Sequence, residues 1–167
     1  MNQKLAFRKL HKADWAKVSE IYQDGLDTGD ASFETKAPNW NYWNDAHLKE
    51  CRLIAEIDNE IIGWAALSPV SSRQVYSGVA EVSVYVSPKF SGQKIGTKLL
   101  ERLVLESEEN GIWTLQASIF PENVASIVIH ESVGFRKVGY REKIGEINGV
   151  WRDTILVERR SKKVGVE

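Results

Sequence analysis

Residues 81–103, EVSVYVSPKFSGQKIGTKLLERL, constrain this chain more than any other stretch. Before the loop, strict alternation puts Ala80, Val82, Val84 and Val86 on one face of a strand and Glu81, Ser83 and Tyr85 on the other. Pro88 ends the strand, and Gly92 and Gly96 mark a small-residue connection. Leu99, Leu100, Leu103 and Val104 then recur as one apolar stripe of a helix that Gly111 terminates. A strand passing through such a loop straight into a helix aims free backbone N–H groups and the positive helix end at one point. A phosphate is stabilised there. The loop is neither a Rossmann fingerprint nor a Walker loop, which would end in Lys-Ser/Thr. Taken alone, the pattern fits both a phosphate cradle and a ligand-free turn.

The flanking segments give the order β, α, (α), β, β, β, α, β, α, β, β. Leu5 to Leu10 is a first strand, and Asp14 is placed to cap a helix carrying Trp15, Val18, Ile21 and Tyr22. Residues 25–38 have no period and form a loop. A short helix follows within 40–50, its Trp40, Tyr42 and Trp43 serving core packing before any pocket. Asp58-Asn59-Glu60 joins two apolar runs into a hairpin. Trp113 to Ile119 is a further strand. Asn123 caps another helix, which Gly134 stops with Phe135 folding back behind it. A Gly-Glu-Ile-Asn-Gly turn at 145–149 divides a closing hairpin. Strands outnumber helices and several are joined by hairpins, so an α/β (α+β) fold with a mixed sheet is predicted.

The chain has 167 residues and a formal net charge of −1, which argues against a nucleic-acid or membrane-surface partner. One domain over residues 1–160 is expected, with 161–167 as a short solvated tail. No internal repeat or linker suggests a second domain. The single cysteine, Cys51, precludes an internal disulfide and reads as a buried structural thiol. The start, MNQKLAFRKL, lacks a signal-peptide apolar core, and a cytoplasmic location is the expectation. No Cys/His cluster has metal-ligand spacing.

Considered over its whole length, the chain resembles the GNAT superfamily of acetyltransferases. Within it, the chain is similar to the phosphinothricin and methionine sulfoximine acetyltransferase group of L-amino-acid N-acyltransferases. The stretches that carry this are DASFET, GWAALSPVSSRQVYSGVAEVSVYV, GIWTLQASIFPENVASIVIHESVGF and GVWRDTILVERRS. They follow the family's order across nearly the full sequence. In one place the chain departs from the pattern. The family's loop opens with Arg or Gln and carries a middle glycine; here Ser91 and Lys94 stand at those positions, and Gly96 keeps its place.

The resemblance implies a GNAT fold with acetyl-CoA as co-substrate, lying between the strands led by Val79 and Trp113, splayed at one end. Backbone groups of Val84, Tyr85 and Val86 and the loop Ser91, Gly92, Gln93, Lys94, Ile95, Gly96 and Thr97 would hold it, joined by Asn123 and Ser126. Glu81 would accept the proton of the attacking amine, whose lone pair the reaction needs. His130, seven residues past Asn123 and on the same helix face, would protonate the departing thiolate or position the amine. Arg73, with Tyr76, would face the substrate carboxylate, and Phe33 would wall the pocket. His11 and His47 have no such support, and the reaction needs no metal. The implied activity is transfer of an acetyl group to the amine of a small amino acid or analogue, by direct attack, in a homodimer. A second reading is a degenerate member that binds acyl-CoA as a sensor or structural module without turnover. Plainer readings also stand: Glu81 as a sheet-edge or solvent-facing carboxylate, His130 as a packed side chain, and Asn123 as a helix cap.

Overall fold

The computed structural model describes residues 4–167. Seven strands form one mixed sheet. They are β1 (Leu5–Lys9), β2 (Leu53–Ile57), β3 (Glu60–Pro69), β4 (Val79–Val86), β5 (Thr114–Ile119), β6 (Arg136–Ile147) and β7 (Val150–Arg160). Their order is β1-β2-β3-β4-β5-β7-β6. All neighbours are antiparallel except β4 and β5, which run parallel. The helices are α1 (Trp15–Leu26), α2 (Trp40–Ala46), α3 (Ile95–Glu109) and α4 (Val124–Ser132).

The central strands β2 and β3 are apolar on both faces, so the sheet is covered on both sides there. On one side Leu99, Leu100 and Leu103 of α3 pack fully buried against Leu53, Ala65, Leu67, Ala80 and Leu115. Each such leucine contributes about 1.5–3 kcal/mol through burial. On the other, Val18 and Ile21 of α1 and Trp43 of α2 meet Ile54, Trp64 and Ala66. Trp43 and Trp40 thus serve the core, whereas Tyr42 points to solvent. The buried Arg52 fastens α2 to the sheet, donating to Asn44 and to the Leu48 and His47 carbonyls beneath the Trp43 ring. Burial pushes the Cys51 thiol up to about 12, as suits a structural cysteine.

Two local expectations change. The Asp14 side chain does not cap α1; it accepts from the Arg8 guanidinium at 2.9 and 3.0 Å and from the His11 N–H at 2.8 Å. A charged donor six residues upstream, on β1, outcompetes the helix N–H groups. The turn of the closing hairpin is shorter than Gly145–Gly149. β6 continues through Ile147, leaving Asn148-Gly149 as a two-residue turn with φ of 51° and 77°. Such a turn matches the twist of long paired strands. Of residues 161–167, expected as a solvated tail, all but Ser161 and Val164 are exposed; the buried Ser161 donates to Glu108, and Arg160 donates to the Val164 carbonyl.

Candidate active site

The sheet parts at its centre. β4 and β5 pair over three rungs only, Val79 with Thr114, Ala80 with Leu115 and Glu81 with Gln116. Beyond Glu81, β4 pairs only with β3, and from Ala117 to Ile119 β5 pairs only with β7. The facing backbone groups of both strands are therefore left for a ligand or water. A cleft of about 910 Å³ fills the gap, lined by both strands, the ends of α1 and α4 and the loop after α1. Val84, Tyr85 and Val86 lie along it. The Tyr85 ring fits against α1 because residue 25 is glycine; a Cβ there would stand 2.5 Å from Tyr85 Cδ1.

At one end of the cleft the loop after β4 runs into α3. The first helical bond runs from the Lys98 N–H to the Lys94 carbonyl, so the N–H groups of Ile95, Gly96 and Thr97 have no intrahelical acceptor. Gly92 and Lys94 both take left-handed backbone, with φ of 77° and 61°. At 94 the chain has a lysine where the conformation favours glycine. Ser91 and Gly96 line the cleft. Gly92, Gln93 and Lys94 are exposed, and the Ile95 side chain belongs to the core, so only its backbone is free for a ligand. Gly96 sits under α4, where a Cβ would meet Ile129 Cδ1 at 3.2 Å.

Glu81 is no edge carboxylate. Its strand is the fourth of seven, and its backbone pairs with Ser68 on one side and Gln116 on the other. The carboxylate lines the cleft at the point where the strands part, and Gln116 Nε2 donates to its Oε2 at 3.2 Å.

His130 lies in the last turn of α4, only 5% exposed, its ring edge-on to Phe135. Nδ1 sits 2.7 Å from the Ser126 carbonyl oxygen. A carbonyl only accepts, so Nδ1 carries the proton and donates it there, leaving a bare lone pair on Nε2. That atom is buried without a partner among the described residues, and His130 lines the cleft. Burial pulls the imidazole below its ordinary 6.5, against the smaller upward pull of the Ser126 carbonyl. The group is a neutral acceptor. Asn123 does cap α4, accepting the Ser126 N–H at 3.2 Å, and its Nδ2 donates to the Asp30 carbonyl at 3.1 Å. Asn123 and Ser126 both line the cleft.

Phe33 also lines the cleft, packing edge-on against Phe120 with ring centres 4.9 Å apart. Arg73 and Tyr76 do not come with it. Both are exposed on the connection before β4, the guanidinium 5.5 Å from the Tyr76 ring and outside the cleft lining of the single chain. Four contributors lie outside the expectations from sequence: Gln116, Phe120, the Asp30–Arg152 pair, and Thr154. Thr154 lines the cleft, and its buried hydroxyl has no hydrogen-bond partner among the described residues. Polar residues alternating on β5 were the one available signal for Gln116; nothing local marks the others. Among the described residues, no group of three or more His, Cys, Asp and Glu could hold a metal ion.

Residues 15–135 match the Acetyltransferase (GNAT) family. The phosphinothricin N-acetyltransferase of Alcaligenes faecalis is 32% identical over 161 residues, covering 91% of this chain and 80% of the relative. The L-methionine sulfoximine/L-methionine sulfone acetyltransferase of Salmonella typhimurium is 30% identical, covering 92% and 93%. Among solved structures, an acetyltransferase of Salmonella typhimurium with its cofactor acetyl-CoA superposes with a TM-score of 0.89, at 27% identity and covering 98% of each chain. A phosphinothricin acetyltransferase of Sinorhizobium meliloti in complex with acetyl-CoA gives 0.86 at 26% identity, covering 98% of this chain and 91% of that one. With its central strands splayed over a helix N-terminus and its sequence matched across the shared core, the chain belongs to the GNAT family of acetyltransferases.

Proposed function

We propose that the protein transfers the acetyl group of acetyl-CoA to the amino group of a small amino acid or amino-acid analogue of the phosphinothricin or methionine sulfoximine type. The observation that carries this reading is the pairing of two proton acceptors, the Glu81 carboxylate and the bare Nε2 of His130, in one cleft. An ammonium group must lose a proton before it attacks a thioester. Acetyl-CoA is assigned to the gap between β4 and β5, its pyrophosphate on the N–H groups of Ile95 to Thr97 and its thioester at the unpaired edge of β4. A backbone N–H near Val84 would polarise the carbonyl and stabilise the oxyanion. Glu81, directly or through water, takes the amine proton. The amine attacks the carbonyl carbon, its nitrogen gives up a second proton to water, the C–S bond breaks, and the CoA thiolate leaves. A neutral His130 suits acceptance of an amine N–H better than protonation of the thiolate, which then falls to water. No covalent enzyme intermediate is needed.

Arg73 is assigned to the acceptor's carboxylate, within a homodimer. The support for the dimer is the closing hairpin, where Tyr140, Ile144, Val150 and Trp151 are each more than half exposed. Thiol release from acetyl-CoA with a panel of amino acids, phosphinothricin and methionine sulfoximine tests the reading. Acceptor-dependent release that Glu81→Gln lowers about 10²–10⁴-fold is expected. Acetyl-CoA binding without release for any acceptor would instead favour the sensor reading.

A further inference from the structure

Glu81 and Gln116 are Cα partners on the last rung of the β4–β5 ladder, immediately before the strands separate. Gln116 Nε2 donates to Glu81 Oε2 at 3.2 Å. Because a carboxylate only accepts, the Gln116 amide must present its nitrogen to Glu81. Among the described residues no Lys or Arg pairs with this carboxylate, and Oε1 has no hydrogen-bond partner. A cationic partner would fasten the carboxylate but also oppose its uptake of a proton. A neutral amide fastens one oxygen and leaves the charge in place. A glutamate on the rim of an open cleft otherwise samples several rotamers, each losing alignment with the reacting nitrogen.

We infer that Gln116 is a positioning residue for the transfer reaction. Its amide holds Oε2 of Glu81 so that Oε1 is presented to the acceptor amine or to the water that bridges to it. The inference rests on the reading of Glu81 as the proton acceptor. It assigns to β5 a part in catalysis beyond forming one wall of the cofactor cleft.

The test is a double-mutant cycle. Gln116→Met keeps the side chain's length and approximate volume but removes the donor. Its kcat for acetyl transfer should fall about tenfold, a fraction of what a positioned base supplies. The Kd for acetyl-CoA, measured by calorimetry, should stay within twofold of the parent. In a Glu81→Gln background the same change should cause no further loss, because no base remains to be oriented. Gln116→Asn, which keeps the amide but is one methylene too short to reach, should behave as Gln116→Met does and replaces it should that variant not fold. Three results would overturn the inference alone: kcat within twofold of the parent, an equal loss in the Glu81→Gln background, or a parallel loss of acetyl-CoA binding. A parent enzyme that acetylates none of the acceptors would overturn both this inference and the proposed activity.

Discussion

Arg152 of β7 holds Asp30, in the loop after α1 that lines the cleft. Its guanidinium donates to the Asp30 carboxylate at 2.8 Å and to the Gly29 carbonyl at 2.9 Å, while lying 4.0 Å over the Phe120 ring. Asn123 fastens the same loop through the Asp30 carbonyl. Phe33, three residues on, rests on Phe120 and against Gly145 of β6, where an added Cβ would stand 2.8 Å from the Phe33 ring. This wall of the cleft is therefore set by contacts from β6, β7 and α4.

Removing the latch should act on acceptor binding and leave the cofactor alone. Arg152→Ala is expected to raise the acceptor KM about fivefold, matching roughly 1 kcal/mol for a partly exposed ion pair. The Kd for acetyl-CoA should remain within twofold. Steady-state kinetics beside calorimetry checks both. A loss confined to acetyl-CoA binding would place the loop on the cofactor instead.

Thr154 gives an opposed pair of effects. Its hydroxyl is buried without a partner, a cost of about 1–3 kcal/mol to the free protein. Thr154→Val keeps the shape and removes that cost, so the melting temperature should hold or rise. If the hydroxyl is kept for the acceptor, the acceptor KM should increase in the same variant. A clear drop in melting temperature would mean that the hydroxyl already has a structural partner.

Lys94 sits in left-handed backbone, which costs a side-chain-bearing residue about 1–2 kcal/mol. Glycine relieves that strain but loses more chain entropy on folding, so Lys94→Gly should stabilise the fold by at most about 1 kcal/mol. It also removes a cation beside the free N–H groups of α3. Acetyl-CoA should bind the variant more weakly and with less salt dependence. Thermal unfolding together with calorimetry at two salt concentrations would separate the two effects.

One buried and one half-buried imidazole make stability depend on pH in a defined direction. Burial lowers both His47 and His130 below the ordinary 6.5. The unfolded chain then takes up protons near pH 6.5, where the folded chain still resists them. Their contribution is complete above about pH 6.5 and shrinks as pH falls below it, by up to about 1.4 kcal/mol per pH unit for each group. Melting temperatures between pH 7.5 and 5.5 should fall, and less steeply for His47→Gln. A flat profile in the parent would show that neither ring stays neutral on folding.

Local pattern determined a great deal. The alternation of β4, the leucine stripe of α3, the Gly111 and Gly134 stops and the Asn123 cap are all where the sequence puts them. Each depends on neighbours a few residues away, where strand and helix periods and backbone preferences act directly. The same locality explains the errors. Asp14 carries the signature of a cap, but Arg8 on the adjacent strand claims it. The glycine at 145 looks like a turn residue, but the paired strands extend past it and use its missing side chain to seat Phe33. Arg73 and Tyr76 are legible as a polar loop, yet where that loop lies relative to the cleft is a matter of packing.

What tertiary structure alone decided is which distant residues meet. Gln116 is 35 positions from Glu81, and Arg152 is 122 from Asp30. Parallel register between β4 and β5, and the point at which those strands part, follow from how α3 and α4 fill one face of the sheet while α1 and the loop after it fill the other. The sequence supplied a carboxylate, an imidazole and a helix end as separate local features. The packing of two layers on one splayed sheet brought them to a single cleft and left Glu81, His130 and Thr154 facing it.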